Sequence, residues 1–283
     1  MKLVQLTGET SKRFGDFKAL EMIKRAGFDG YDYSMFNDNA VKMLSDNGYK
    51  EYFHSVRKCA EGIDLPCLQT HAPDIFSMLN EKEAEENIRI SLRSIEAASI
   101  LGSKIIVIHP EKWYSAEQNK ELLYDRLLPA AKKAGVIIAT ENMFRWKDAT
   151  ETETAPGACG TAADFVKHID IVKDSNFKAC LDIGHAQMVN CEGAVSLINA
   201  LGKGRICSLH VHDNDMYHDD HAFPFIGNGD WREICGALKK IGYSGHFTFE
   251  ADCTLKKYPD ELIEDCLRLL YNTGRYLIKL IEE

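Results

Sequence analysis

The stretch Lys104-Ile-Ile-Val-Ile-His109-Pro110 decides the fold. Four consecutive aliphatic residues lead into a histidine and stop at a proline, which is typical of a short strand buried on both faces of a parallel sheet. The pattern returns along the chain with other polar residues at its end, in segments 65–71, 136–141, 178–182, 206–212 and 246–250. Six strand-like runs therefore end on a histidine, an aspartate or a glutamate.

Amphipathic segments separate these runs. Residues 16–26 place apolar side chains on one helical face, and Gly27 follows as a helix-ending residue. Asn80 and Glu83 have the spacing of a capping box, so a helix should begin there. Further helices are predicted over 49–60, 116–134, 161–173, 193–201, 231–241 and from Pro259 onward. Two more strands are predicted at 2–6 and 28–34.

The result is eight strands that alternate with about eight helices. Strict alternation of this kind indicates a parallel sheet. Eight repeats in a chain of 283 residues favour a closed (β/α)8 TIM barrel over a doubly wound open sheet. No linker divides the sequence, so we expect residues 1–283 to form a single domain.

Composition excludes several classes of protein. The net charge is -9, which disfavours a general binder of nucleic acid or of anionic membranes. The nine cysteines are scattered without a CxxC pair, as in proteins with reduced thiols. No apolar stretch approaches the roughly 18 residues that a membrane span requires, and the N-terminus starts with a strand instead of a signal peptide. We expect a cytoplasmic protein, with homo-oligomerisation left open.

The polar strand ends predict a metal site. In a TIM barrel the carboxyl ends of the strands meet at the active-site face. The residues expected to converge there are His71, His109, Glu141, Asp182, His212 and Glu250, with His185 within reach. Massed carboxylates repel one another, and a divalent cation removes that cost. Oxygen and nitrogen ligands without cysteine suit Mn²⁺, Mg²⁺, Co²⁺ or Zn²⁺.

The positions of two residue pairs, His210 with His212 and Asp219 with His221, remain open from the sequence. Of His210 and His212, we expect only one to face the barrel interior, and His212 is favoured because it lies nearer the C-terminal end. Asp219 and His221 lie in a long loop that is rich in Asp and His. They could reach the mouth of the barrel and bind substrate or a second metal, or they could be part of a solvated acidic loop.

Six short motifs in a fixed order carry a family resemblance. They are Thr-His-Ala-Pro at 70–73, Val-Ile-His-Pro at 107–110, Thr-Glu-Asn at 140–142, Leu-Asp-Ile-Gly-His-Ala at 181–186, His-Val-His-Asp-Asn at 210–214 and Phe-Glu at 249–250. The chain resembles the sugar phosphate isomerase/epimerase family of xylose-isomerase-like TIM barrels, which also contains endonuclease IV. The resemblance covers essentially the whole chain.

The resemblance implies which residues act. One divalent metal ion would be held by Glu141, Asp182, His212 and Glu250, while His71, His109 and His185 would contact the substrate. In the endonuclease IV branch the same seven positions help bind three zinc ions, together with an Asp-x-His in the loop after the seventh strand. Asp219 and His221 would imitate that last element here. Where the second strand of the family often ends in Glu, this chain has Asp32.

The function implied is an isomerase or epimerase of a small carbohydrate, either a sugar or a sugar phosphate. The metal would stabilise an ene-diolate, and Glu141 and Glu250 would remove and return the proton. Two other enzymes remain open: a zinc phosphodiesterase on abasic DNA like endonuclease IV, and a dehydratase of the inosose type. A barrel that only senses a sugar or a metal is the non-enzymatic alternative.

Overall fold

Eight parallel strands form the centre of the computed structural model, which describes residues 1–36, 38–74, 80–147 and 153–283. The strands are β1 Leu3–Leu6, β2 Gly30–Ser34, β3 Cys67–His71, β4 Ile105–Ile108, β5 Ile137–Glu141, β8 Phe177–Asp182, β9 Ile206–His210 and β10 Phe247–Phe249. Their order in the sheet is β10-β1-β2-β3-β4-β5-β8-β9. A parallel bridge between Val211 and Phe249 joins the two ends. The predicted (β/α)8 barrel is confirmed.

Helices surround the barrel. They are α1 Gly8–Phe14, α2 Asp16–Ala26, α3 Asp38–Ser45, α4 Tyr49–Gly62, α5 Glu81–Leu101, α6 Ala116–Asn119, α7 Asp125–Ala134, α8 Ala162–Val172, α9 Ile183–Gln187, α10 Ala194–Arg205, α11 Trp231–Lys240 and α12 Ile263–Glu282. A π-helical turn, Lys120–Tyr124, connects α6 to α7, and 3-10 turns lie at Asp252–Lys257 and Asp260–Leu262. The Asn80 side chain caps α5 by accepting from the Glu83 amide at 2.9 Å, as predicted. None of the helices in the described ranges is long and apolar enough to cross a membrane.

The strands separate two apolar layers. Along β4, Ile106 and Ile108 belong to the large core between barrel and helices, whereas Ile105 and Val107 belong to a small cluster with residues of β5 and β8. Alternate residues of a strand point to opposite faces. The inward series of β4 therefore continues to His109, which is why this histidine reaches the cavity inside the barrel mouth.

The segment that follows β5 has its own structure. Within 142–160, β6 Phe144–Trp146 pairs antiparallel with β7 Thr154–Pro156 to form a hairpin. Residues 148–152 of this segment lie outside the described ranges. The hairpin follows β5 directly, so it places Phe144, Arg145 and Trp146 along the wall of the cavity above Glu141.

Candidate active site

A cavity of about 400 Å³ opens at the C-terminal ends of the strands. The predicted site residues that line it are His109, Glu141, His185, Asp219, His221 and Glu250. The cavity is also lined by the aromatic rings of Phe36, Phe144 and Trp146 and by the cationic side chains of Lys12, Lys112, Arg145 and Lys256. The size suits a small polar molecule.

A central group of four candidate metal ligands lies at the C-terminal ends of the strands. The candidate ligand atoms of Glu141, Asp182, His210 and Glu250 are all within 4.8 Å of one another, and all four residues are buried. His210 Nδ1 is 3.0 Å from Glu141 Oε2 and 3.0 Å from Glu250 Oε2. The four residues come from β5, β8, β9 and the end of β10, so the barrel closure itself assembles the group.

The expectation that only one of His210 and His212 faces the interior is wrong. Residues two apart in a strand lie on the same face, and both rings face the site. His210 ends β9 and meets Glu141 and Glu250. His212 lies one step further on, where its Nε2 is 3.1 Å from Asp182 Oδ1. His210 therefore takes the position in the central group that the sequence had given to His212.

A second group lies beside the first. His71 Nε2 and His109 Nε2 are 3.6 Å and 3.4 Å from Glu141 Oε2. The opposite ring nitrogens are occupied, because His71 Nδ1 is 2.7 Å from the Ala72 carbonyl and His109 Nδ1 is 2.6 Å from Asp74 Oδ1. Both acceptors hold a proton on Nδ1, and this leaves the Nε2 lone pairs aimed at Glu141.

A third group lies on the other side of the central one. It consists of His185, His212, Asp219 and His221. Asp219 Oδ2 is 3.1 Å from His221 Nε2 and 3.5 Å from His185 Nε2. The rings of His212 and His221 stack with their centroids 4.0 Å apart. Asp219 and His221 therefore reach the site, and the alternative of a solvated loop is wrong for these two residues.

The loop that carries Asp219 and His221 is folded around one carboxylate. Asp213 Oδ1 accepts from the amides of Asn214 and Gly229 at 2.9 Å and 3.0 Å, while Oδ2 accepts from the Phe225 amide and Trp231 Nε1 at 2.9 Å each. Asp213 is only 3% exposed. Four neutral N–H donors thus stabilise the buried carboxylate, and they connect the two ends of the loop.

Charges inside the site are strongly coupled. Burial alone would raise the pKa of Glu141, but His210 and His109 outweigh it and hold that pKa well below its usual range. Asp219 behaves in the same way, because His221 and His185 lower its pKa against the effect of burial. Burial opposes the charged form of His109, yet Glu141 and Asp74 raise its pKa to about 10. Glu141 and Asp219 are therefore ionised.

The donor set fits divalent metal ions. Several buried ligand atoms have no hydrogen-bond partner among the residues that the structure describes, although buried polar atoms normally have one. These atoms are His71 Nε2, His109 Nε2, both carboxylate oxygens of Glu141, His210 Nδ1, His212 Nδ1 and Asp219 Oδ1. Their residues belong to the three ligand groups, where a bound cation would satisfy the atoms of its group. Imidazole and carboxylate ligands suit Zn²⁺, Mn²⁺ or Co²⁺.

Sequence reasoning did not find the residues that support the ligands. Asn142 joins β5 to β8, because its side chain accepts from the Asp182 amide at 2.8 Å and donates to the Asp182 carbonyl at 2.9 Å. Asp74 orients His109. Asn142 lies within one of the quoted motifs, and Asp74 follows another. Their position directly after a strand end was the signal that could have identified them.

Comparisons with known proteins agree with the fold. The family described as xylose isomerase-like TIM barrels matches residues 20–273. Protein MJ1311 of Methanocaldococcus jannaschii is 32% identical over 64% of this chain, and the match spans 62% of that protein's length. Protein Rv0498 of Mycobacterium tuberculosis is 23% identical over 86% of each chain.

Solved structures superpose over nearly the whole chain. A D-tagatose 3-epimerase-like protein has a TM-score of 0.70 at 20% identity and covers 96% of this chain and 99% of its own. The IOLI protein, solved with a zinc atom, has a TM-score of 0.74 at 19% identity and covers 99% and 98%. The 3-keto-D-glucoside 4-epimerase of E. coli has a TM-score of 0.70 at 17% identity and covers 96% and 99%. At these identities the likeness establishes a shared fold.

Proposed function

Because the chain belongs to the xylose isomerase-like TIM barrel family, we propose that it is a metal-dependent isomerase or epimerase of a sugar or sugar phosphate. The observation that carries this proposal is the central ligand group beside a cavity of about 400 Å³. Carbohydrate epimerases and the zinc-containing IOLI protein among the structural neighbours are consistent with it.

Glu141, Asp182, His210 and Glu250 would hold the ion. A divalent ion bound there would polarise a substrate carbonyl and stabilise the negative charge that develops on oxygen when a neighbouring C–H bond is broken. Glu141 and Glu250 both line the cavity and come from different sides of the barrel, strands β5 and β10. In the proposed reaction one carboxylate takes the proton from carbon and the other returns a proton.

The remaining polar residues would bind the substrate. His109 and His185 line the cavity, where a substrate hydroxyl could hydrogen-bond to their rings. Burial would lower the pKa of His185, but Asp182 and Asp219 outweigh that effect and raise the pKa well above its usual value. Lys12, Lys112 and Arg145 also line the cavity, and Arg145 Nε donates to the Pro156 carbonyl at 3.2 Å. They can balance a phosphate ester.

The two smaller ligand groups favour a second candidate function. Three groups that share or adjoin Glu141 could hold more than one ion, and clusters of metal ions clamp the attacking and leaving oxygens in phosphodiester hydrolysis. A zinc phosphodiesterase acting on abasic DNA is therefore the alternative. Metal analysis separates the two candidates: one ion per chain favours the epimerase, and three zinc ions favour the phosphodiesterase.

The deciding experiment is hydrogen exchange into substrate. The metal-loaded protein is incubated in heavy water with a panel of ketoses and their phosphates, and deuterium at carbon is measured by NMR. We expect exchange in wild-type protein and none in Glu141→Gln or Glu250→Gln. Glu9→Gln is the matched control, because Glu9 lines the same cavity but pairs with Arg13 at 2.7 Å and belongs to none of the three ligand groups.

Two results would count against the proposal. One is the absence of exchange in every compound together with incision of DNA at abasic sites, which would establish the phosphodiesterase. The other is full exchange activity in both glutamine variants, which would remove Glu141 and Glu250 from the reaction. Loss of water from an inosose, followed by ultraviolet absorbance of the product, would identify a dehydratase.

A further inference from the structure

A buried polar network lies at the edge of the His210 ring that faces away from Glu141 and Glu250. Asp32 on β2 and Gln69 on β3 are both fully buried. The Gln69 side-chain nitrogen donates to Asp32 Oδ2 at 2.6 Å, and its oxygen accepts from the hydroxyls of Ser208 and Thr248. His210 Nε2 is 3.5 Å from Asp32 Oδ2 and 2.9 Å from the Gln69 nitrogen.

Asp32 is costly where it stands. Its Oδ1 has no hydrogen-bond partner, and its ion-pair contact in the described ranges is with His210 and not with a lysine or arginine. A buried carboxylate with so few partners destabilises a fold compared with a neutral group of the same shape. The stability of the fold therefore does not explain an aspartate at position 32. Its contact with His210 does.

The chemistry of the imidazole ring supplies that reason. His210 Nδ1 is the nitrogen that belongs to the central ligand group, so it must offer a lone pair when an ion is bound. The ring proton must then be on Nε2 and needs an acceptor. The Gln69 nitrogen can only donate, which leaves Asp32 Oδ2 as the acceptor within reach.

We propose that Asp32 is a positioning residue of the metal site: it accepts the Nε2 proton of His210 and so holds Nδ1 toward the ion. Gln69 keeps the carboxylate in place from the other side, and binding of an ion moves the contact of Nε2 from Gln69 to Asp32. The inference rests on the metal site proposed above. It is independent of whether the reaction is an isomerisation or a hydrolysis.

The test is a calorimetric titration of metal-free protein with Mn²⁺ and, separately, Zn²⁺. We expect Asp32→Asn to weaken binding about 10–100-fold, the usual effect of removing a hydrogen-bond partner behind a metal-bound histidine. The melting temperature of the metal-free variant should be unchanged or higher, because a poorly paired buried charge is gone. A residue with a merely structural role would give the opposite result in the melt.

Asp16→Asn is the matched control. Asp16 accepts a hydrogen bond from Tyr33 of the same strand at 2.6 Å, on the outer side of the barrel and outside the ligand groups. This substitution should leave metal affinity unchanged. The proposal is overturned if Asp32→Asn binds metal like wild type, or if Asp16→Asn weakens binding equally. A wild-type protein that binds neither ion would overturn the metal site itself, and the role of Asp32 with it.

A second measurement keeps the test decisive if Asp32→Asn does not fold. Nitrogen-15 NMR of histidine-labelled, zinc-loaded wild type reports which nitrogen of His210 carries the proton. We expect a ring with Nδ1 bound to zinc and a slowly exchanging proton on Nε2. Coordination through Nε2 would refute the proposal.

Discussion

Replacing Asp213 by asparagine tests how the loop 213–229 is held in place. The carboxylate accepts four hydrogen bonds, two on each oxygen, from the amides of Asn214, Gly229 and Phe225 and from the Trp231 indole. An asparagine keeps one oxygen and turns an N–H₂ group toward the other two donors. Two hydrogen bonds to a buried charge are lost, and each is worth about 1.5–3 kcal/mol.

The variant should therefore lose about 3 kcal/mol or more of unfolding free energy. In a chain of this size that is a decrease of roughly 6–12 °C in melting temperature. Hydrogen exchange followed by mass spectrometry should locate the change in peptides that cover 214–229. Because the loop carries Asp219 and His221, the third ligand group should lose its affinity for metal while the central group retains it.

Asp230→Asn is the control for this prediction. Asp230 begins α11 and accepts from the amides of Arg232 and Glu233 through one oxygen, so asparagine can replace it as a helix cap. We expect a change of at most about 0.5 kcal/mol, the usual size for surface substitutions. If Asp213→Asn melts within 2 °C of wild type (~0.5–1 kcal/mol), the carboxylate does not hold the loop and our account of it is wrong.

Four further outcomes are expected. His210→Ala should abolish metal binding at the central group, whereas His212→Ala should leave it intact; equal losses in a metal titration would contradict the assignment. Gly184→Ala should displace His212, because the new Cβ would lie 1.9 Å from its ring, so any metal binding at the third group should weaken while the central group keeps its affinity. Gly274→Ala should lower the melting temperature without affecting metal affinity, since its Cβ would meet Phe249 at 2.7 Å where α12 packs on the barrel. Chelation should lower the apparent stability by about 2.7 kcal/mol relative to protein with metal at 100 times its Kd, and an unchanged thermal melt would argue against a bound ion.

Much of this architecture was predictable from the sequence because periodicity decides it. The aliphatic runs that end on polar residues predicted both the closed barrel and the face on which the polar residues meet. The same period of two places Glu141, Asp182 and Glu250 inside the barrel. The same period also places His210 and His212 on one face, as the structure shows.

The partners behind the ligands were not predictable in this way. Asp32 and Gln69 lie on the neighbouring strands β2 and β3, whereas His210 lies on β9, which pairs with neither of them. The three side chains meet across the narrow interior of the barrel. Sequence patterns give the face of a strand but not its neighbour across the interior. The hairpin after β5 was missed for a related reason: its two strands have three residues each, too few for a periodic signal.

The closure of the barrel has a consequence for how the protein withstands unfolding. Between β9 and β10 the described ladder is reduced to the bridge at Val211. The Val211 amide donates to the Thr248 carbonyl, and the Val211 carbonyl accepts from the Glu250 amide. This is the seam of the cylinder, and His210 and Glu250 stand on its two sides. An ion bound by both residues would connect the two ends of the sheet. Loss of the ion would then loosen the barrel first along this line, and the site would open where its ligands are joined.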